Sequence, residues 1–161
     1  MALLFTDSFD GQLPYYSNKY DSYDGSITAS ATGRTGNAAR WYGGFATKNL
    51  SSNHSTLVVG FAFKFFVSST GTILKFIDNL TTQIYLYINS SSLVEIKRGD
   101  GTILATSTTA VNDTTWTYIE FKSVINNSTG SYDLKINGTS EASASNVDTQ
   151  NTANAYATKV A

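Results

Sequence analysis

Ser55–Ile88 reads STLVVGFAFKFFVSSTGTILKFIDNLTTQIYLYI, three runs of apolar, β-branched and aromatic residues separated by short polar breaks. In the first run Leu57, Val59, Phe61, Phe63 and Phe65 share one parity, and Val58, Gly60, Ala62, Lys64 and Phe66 the other. The second sets Ile73, Lys75 and Ile77 against Leu74 and Phe76, and the third sets Ile84, Leu86 and Ile88 against Tyr85 and Tyr87. A period of two belongs to strands, whose successive side chains point to opposite faces. The economical reading is of neighbouring strands with one face in a core, since a lone hairpin could not hide so much apolar surface.

Working outward, the same pattern recurs on both sides. Upstream, LLFTDSF at 3–9 predicts a short strand closed by Asp10-Gly11, and the Tyr-rich polar stretch at 13–26 an irregular loop. Short strands are expected at 27–32 and 38–42, an edge strand or turn at 45–50, and a loop at SSNHS, 51–55. Downstream, strands at 93–97 and 102–107 flank Arg98-Gly99-Asp100-Gly101, a hairpin tip. TWTYIEF places Ile119 and Phe121 on an apolar face, with Trp116 covering an edge, and SYDLKIN returns with Leu134 and Ile136 inward before an Asn137-Gly138 turn. The segment after it reads as a polar loop leading into a strand only just begun at 156–160. No stretch shows helical spacing over three turns. The fold class is therefore all-β, a two-sheet sandwich of roughly ten to twelve short strands.

The 161 residues suit one domain, which buries about 70% of its unfolded surface without a staple. With no Cys, disulfide and thiol chemistry are excluded, and one His makes a histidine-based metal centre a poor expectation. A formal charge of -1 offers no basic field for nucleic acid, and the first residues carry neither a positive n-region nor a long apolar core, so neither secretion nor membrane insertion is indicated. No cofactor is expected. Because Pro14 is the single proline, edge protection is expected to rest on Lys64, Lys75, Lys97 and bulges.

Several constellations invite chemistry and are better explained by structure. Asp7, Asp10, Asp21 and Asp24 match no calcium-loop spacing and suit turn capping. Glu95 and Glu120 would have to face each other across a groove to serve a glycosidase, and as solvated cross-strand partners of Lys97 and Lys122 they need no such role. Arg34, in TGRTG without the GK[ST] ending of a phosphate loop, is expected to brace its own turn. Arg98-Gly99-Asp100 spells an adhesion tripeptide where a hairpin tip wants Gly and Asp. The Asn-X-Ser/Thr triplets follow from a composition rich in all three residues and are expected to remain unglycosylated. Tyr15, Tyr16, Tyr20, Tyr23 and Trp41, too many for a core in so polar a segment, are the candidate contact residues, for a protein interface first and sugar stacking second.

The order of LLFTDSFDG, TGRTGNAARW, STLVVGFAFKF, GTILKFID, LVEIKRGDGTILATS, TWTYIEFKSVI and SYDLKINGTS resembles the concanavalin A-like, laminin-G-like jelly-roll domains of tailed-bacteriophage and prophage structural proteins. The likeness covers residues 3–138, with VDTQNTANAYA at 147–157 similar to the usual continuation. It implies a jelly-roll sandwich, a virion location and a non-enzymatic role, with capsid decoration or cementing through contacts to coat proteins first and a glycan-binding module of a tail or fibre second. It also implies a closing strand of the form I-D-D-x-Y, absent here, so the chain is expected to continue beyond 161 or to be completed by a partner chain. The glucanase branch of the same fold carries E-x-D-x-x-E, which this sequence lacks.

Overall fold

The computed structural model describes residues 19–24, 26–30, 33–34, 38–64, 70–111 and 114–161, the side chains of 26–30 and 40–42 excepted. The strands are β1 (Ser22–Tyr23), β2 (Ser26–Ser30), β3 (Ala38–Tyr42), β4 (Ala46–His54), β5 (Thr56–Phe63), β6 (Gly71–Asp78), β7 (Thr81–Ile88), β8 (Leu93–Arg98), β9 (Ile103–Ala110), β10 (Thr117–Val124), β11 (Gly130–Ile136), β12 (Thr139–Val147) and β13 (Ala157–Val160). They build a seven-stranded sheet in the order β1-β4-β13-β6-β7-β8-β9 and a four-stranded sheet β12-β11-β10-β5, with β2 and β3 forming a separate pair. Every pairing is antiparallel, so the chain is an all-β sandwich of the expected class. The predicted strand at 3–9, Asp7, Asp10, Pro14, Phe65 and Phe66 lie outside the described residues.

The core follows from parity. Leu74 and Phe76 of β6, Ile84, Leu86 and Ile88 of β7, and Val94 and Ile96 of β8 point inward from the larger sheet. Leu57 of β5, Ile119 and Phe121 of β10, and Leu134 and Ile136 of β11 meet them from the smaller. Phe76 and Phe121 join the two layers, their ring centroids 5.6 Å apart and their planes tilted by 31°. Phe61 and Phe63 pack against this core from β5.

Three expectations need correcting. The three runs of 55–88 do not lie side by side: β5 pairs with β10 in the smaller sheet, and β6 and β7 form a hairpin in the larger. Inward-facing apolar residues look alike whichever sheet supplies them, so periodicity cannot tell a neighbour from an opposite. The loop expected at SSNHS is largely strand, for β4 runs on through His54, which pairs with Ala157. The polar stretch after Gly138 is likewise strand β12, whose Ala142 and Ala144 pack on the core while its serines lie partly or fully exposed. The short strand expected at 156–160 is present as β13 and is paired on both flanks, with Val160 opposite Lys48 on one side and Phe76 on the other.

The turns obey local chemistry. Asn137 and Gly138 have φ of 52° and 83°, as a type I′ hairpin requires, and the Asn137 side-chain oxygen accepts the Tyr118 N–H at 2.9 Å. At the β8–β9 tip, Arg98 is bound to Asp100, with Nη2 to Oδ2 at 2.7 Å, and also to Asp148. The adhesion-like tripeptide is therefore closed on itself. Arg98 ties the hairpin to the 148–156 segment, and its position in that cluster raises its pKa, chiefly through Asp100.

That segment is held by a buried polar knot. Gln83, fully buried, donates from Nε2 to Thr152 Oγ1 and to the carbonyls of Asn154 and Tyr156, and accepts the N–H groups of Asn151 and Thr152 at Oε1. Asp78, buried beside it, accepts from the Thr152 hydroxyl at 2.8 Å and the Asn154 amide at 2.9 Å. A polar group denied water must find protein partners, and both side chains do.

Candidate functional site, the outer face of the larger sheet

The parity that sends Leu74, Phe76, Leu86, Val94 and Ile96 inward turns Ile73, Lys75, Ile77, Tyr85, Tyr87, Glu95 and Lys97 outward. Register aligns them in rows: Lys75 opposite Tyr85 opposite Lys97, and Tyr87 opposite Glu95. The result is a half-buried face of aromatic and aliphatic side chains with lysines laid over it. Lys97 Nζ sits 4.3 Å from the Tyr87 ring centroid, and Lys75 Nζ 3.9 Å from that of Phe45.

Glu95 is 9% exposed and anchors one side of this face. Its oxygens accept from Asn89 Nδ2 at 2.8 Å and Lys97 Nζ at 2.9 Å. Burial raises its pKa, but the hydrogen bonds from Lys97 and Asn89 outweigh it and hold the carboxyl below its usual value. Lys97 is correspondingly raised, first by its bond to Glu95. This pair runs along one strand and is shielded, whereas a solvated cross-strand pair was expected. Glu120 pairs with Lys135 at 3.8 Å, across β10 and β11, and not with Lys122. Because Ile119 and Phe121 point inward, Glu120 faces out from the smaller sheet while Glu95 faces out from the larger. The two carboxylates stand on opposite sides of the molecule and share no groove.

At the β1 end of the face lies a cleft of about 310 Å³, lined by Ser22, Tyr23, Asp24, Phe45, Thr47, Lys75, Ile77 and Ala161. Its wall is fixed by two aspartates. Asp24 Oδ1 accepts the Phe45 N–H at 2.5 Å, and Asp21 Oδ2 accepts the Asn49 N–H at 2.7 Å. The Asn49 bond is the main reason the Asp21 pKa lies low. Both aspartates thus brace backbone 21 and 28 residues away in sequence, at and beside β4, whereas capping of their own turns was expected.

Of the candidate contact residues, Tyr15 and Tyr16 lie outside the described residues. Tyr20 is half-buried, Tyr23 is 53% exposed at the cleft rim, and Trp41 stands opposite Ile27 in the β2–β3 pair, its side chain outside the description. The structure therefore joins Tyr23 to Phe45, Lys75 and Ile77, residues the sequence analysis had not grouped with it. The outward parity of TILKFID and QIYLYI was the available signal, overlooked because half-buried aromatics read as core. Arg34 is exposed. Among the described residues no group of three or more His, Cys, Asp or Glu side chains is placed to hold a metal ion, and no helix is long and apolar enough to cross a membrane. No protein-family model and no curated protein matches the chain.

Proposed function

We propose that the chain is a non-enzymatic structural subunit of a tailed-phage particle, a capsid decoration or cement protein that binds neighbouring coat proteins through the outer face of its larger sheet. The observation that carries the binding role is the row of Ile73, Ile77, Tyr85 and Tyr87, half-buried and outward, whose lysines lie on aromatic rings. Aromatic anchors dominate protein interfaces, and a ring already covered by an ammonium suits a protein partner better than a sugar. The phage setting rests on the resemblance in strand order and motif. The test is co-sedimentation of the purified protein with coat-protein shells. Tyr85→Ser with Tyr87→Ser is expected to weaken binding at least tenfold without altering the fold. Failure of the unaltered protein to sediment with either capsid or tail components overturns the proposal.

The second reading is a carbohydrate-binding module of a tail or fibre. The cleft favours it, because Tyr23 offers an exposed ring beside the Ser22 and Thr47 side chains.

A further inference from the structure

We infer that β9 is a latched sheet edge: Glu141 and Tyr132 keep it from pairing with the same strand of a second copy of this chain, and release of that latch opens a two-fold, strand-to-strand interface. The inference depends on neither the phage nor the glycan reading.

The hazard lies in the strand's own sequence. Ile103–Ala110 reads ILATSTTA, eight residues without a charge, a proline or a glycine, and four of them, Ile103, Thr106, Thr108 and Thr109, are β-branched. Such a stretch at a sheet edge is a template for a further strand. β9 is the edge strand of the larger sheet, and those four residues are exposed. Two copies meeting about a two-fold axis through this strand would run antiparallel and bring no like charges together.

The restraint lies in how the strand is bonded. Its ladder with β8 slips twice. Ile96 stands opposite Ala105 and Lys97 opposite Ile103, which leaves Leu104 over; Glu95 stands opposite Thr106 and Leu93 opposite Ala110, which sets Ser107, Thr108 and Thr109 against Val94 alone. Extra residues at a bulge lose their ladder partners. Here side chains replace them. Ser107 Oγ accepts the Val94 N–H at 3.0 Å and donates to the Thr109 carbonyl at 2.9 Å. The smaller sheet supplies the rest: the Tyr132 hydroxyl of β11 donates to the Leu104 carbonyl at 3.1 Å, and Glu141 Oε2 of β12 accepts the Thr108 and Thr109 N–H groups, each at 2.9 Å. An arriving strand needs backbone donors and acceptors in a regular row. The bulges break that row, and the bonds to Tyr132 and Glu141 commit its groups and set a negative charge beside an otherwise uncharged strand.

The test is sedimentation velocity of the full chain over a concentration series, with hydrogen exchange to locate the contact. Glu141→Ala is expected to self-associate about tenfold more tightly than the unaltered protein, reversibly. Its Thr108 and Thr109 amides should exchange faster when dilute, and the amides of 103–110 should gain protection as concentration rises. Tyr132→Phe, which removes the hydroxyl and keeps the ring in the core, should strengthen association to a smaller degree. Thr108→Lys added to Glu141→Ala returns a charge to the strand without the lost bonds and should bring association back to that of the unaltered protein. Glu120→Ala, on the outer face of the smaller sheet, should change nothing. Unchanged association of a folded Glu141→Ala overturns the inference, as does unchanged association of Tyr132→Phe should Glu141→Ala not fold. Association that Thr108→Lys leaves in place, or protection gained outside β9, overturns it too, since the contact then lies elsewhere.

Discussion

Glu141 on β12 reaches across the open side of the sandwich to Thr109 on β9, its Oε1 accepting the Thr109 hydroxyl at 2.5 Å while Oε2 accepts the Thr108 hydroxyl and both backbone N–H groups. Since β12 and β9 are edge strands of different sheets, one carboxylate fastens the two layers where no backbone ladder joins them. The hydroxyl of Thr109 foremost, with those other donors, holds its pKa down to about 2 from an ordinary 4.5.

A depressed carboxylate stabilises the fold fully above its unfolded pKa and loses that contribution as pH falls through the folded one. Stability should therefore decline between about pH 4.5 and 2 in part through Glu141. Glu141→Gln should cost about 1–2 kcal/mol at pH 7, a value reduced for partial solvent screening, and should flatten the acid limb. Urea unfolding of both proteins at pH 7 and pH 3 checks this, and an unchanged difference between the two pH values would contradict it.

Gln83→Leu removes the amide that organises the 148–156 segment and leaves the half-buried N–H groups of Asn151 and Thr152 without their acceptor. The expected cost is about 2–4 kcal/mol. Hydrogen exchange should show loss of protection at Asn151 and Thr152 before any change in β7. Uniform loss across the sheet would mean that the knot is no separate unit.

Phe121→Ala empties the centre of the core opposite Phe76 and should destabilise by about 3–5 kcal/mol, measured by chemical denaturation. Val58→Ala, on the exposed face of β5, should lie within about 0.5 kcal/mol of the unaltered protein. Similar costs at both sites would be incompatible with the parity described.

Gly99→Ala tests a close approach. A Cβ at Gly99 would lie 1.8 Å from the Thr82 carbonyl oxygen, so the β8–β9 tip must lift from β7 and strain the Gly99 N–H bond to Gln83 O. A loss of about 3 kcal/mol is expected, with protection lost at Gly99 and Arg98. Full retention of stability would show that the contact yields freely.

Strand parity was legible from residue types alone at Leu74, Phe76, Ile119, Phe121, Leu134 and Ile136, because burial selects large apolar side chains one position in two. Hairpin tips were legible at Asn137-Gly138, where positive φ restricts the residues allowed. The course of β4 past Leu50 and the whole of β12 were not. Ser51, Ser52, Asn53, Ser143 and Ser145 face solvent, so their strand conformation comes from ladder partners far away in sequence. Sheet membership was hidden for the same reason. The candidate site was half legible: Tyr23 was chosen for its composition, but the proximity of Phe45 and Lys75 exists only after β1, β4 and β6 are laid together.

The place of β13 bears on how the molecule is made. Until Ala157–Val160 enters, β4 and β6 have no common neighbour, and the larger sheet exists as two fragments with a slot between them. On the ribosome, β6 to β9 can assemble as successive hairpins, yet the exposed flank of β6 must wait for residues 157–160 to emerge. That interval leaves an unpaired strand open to the same flank of another nascent copy. Those four residues therefore close the flank of β6 that would otherwise stand as an open sheet edge.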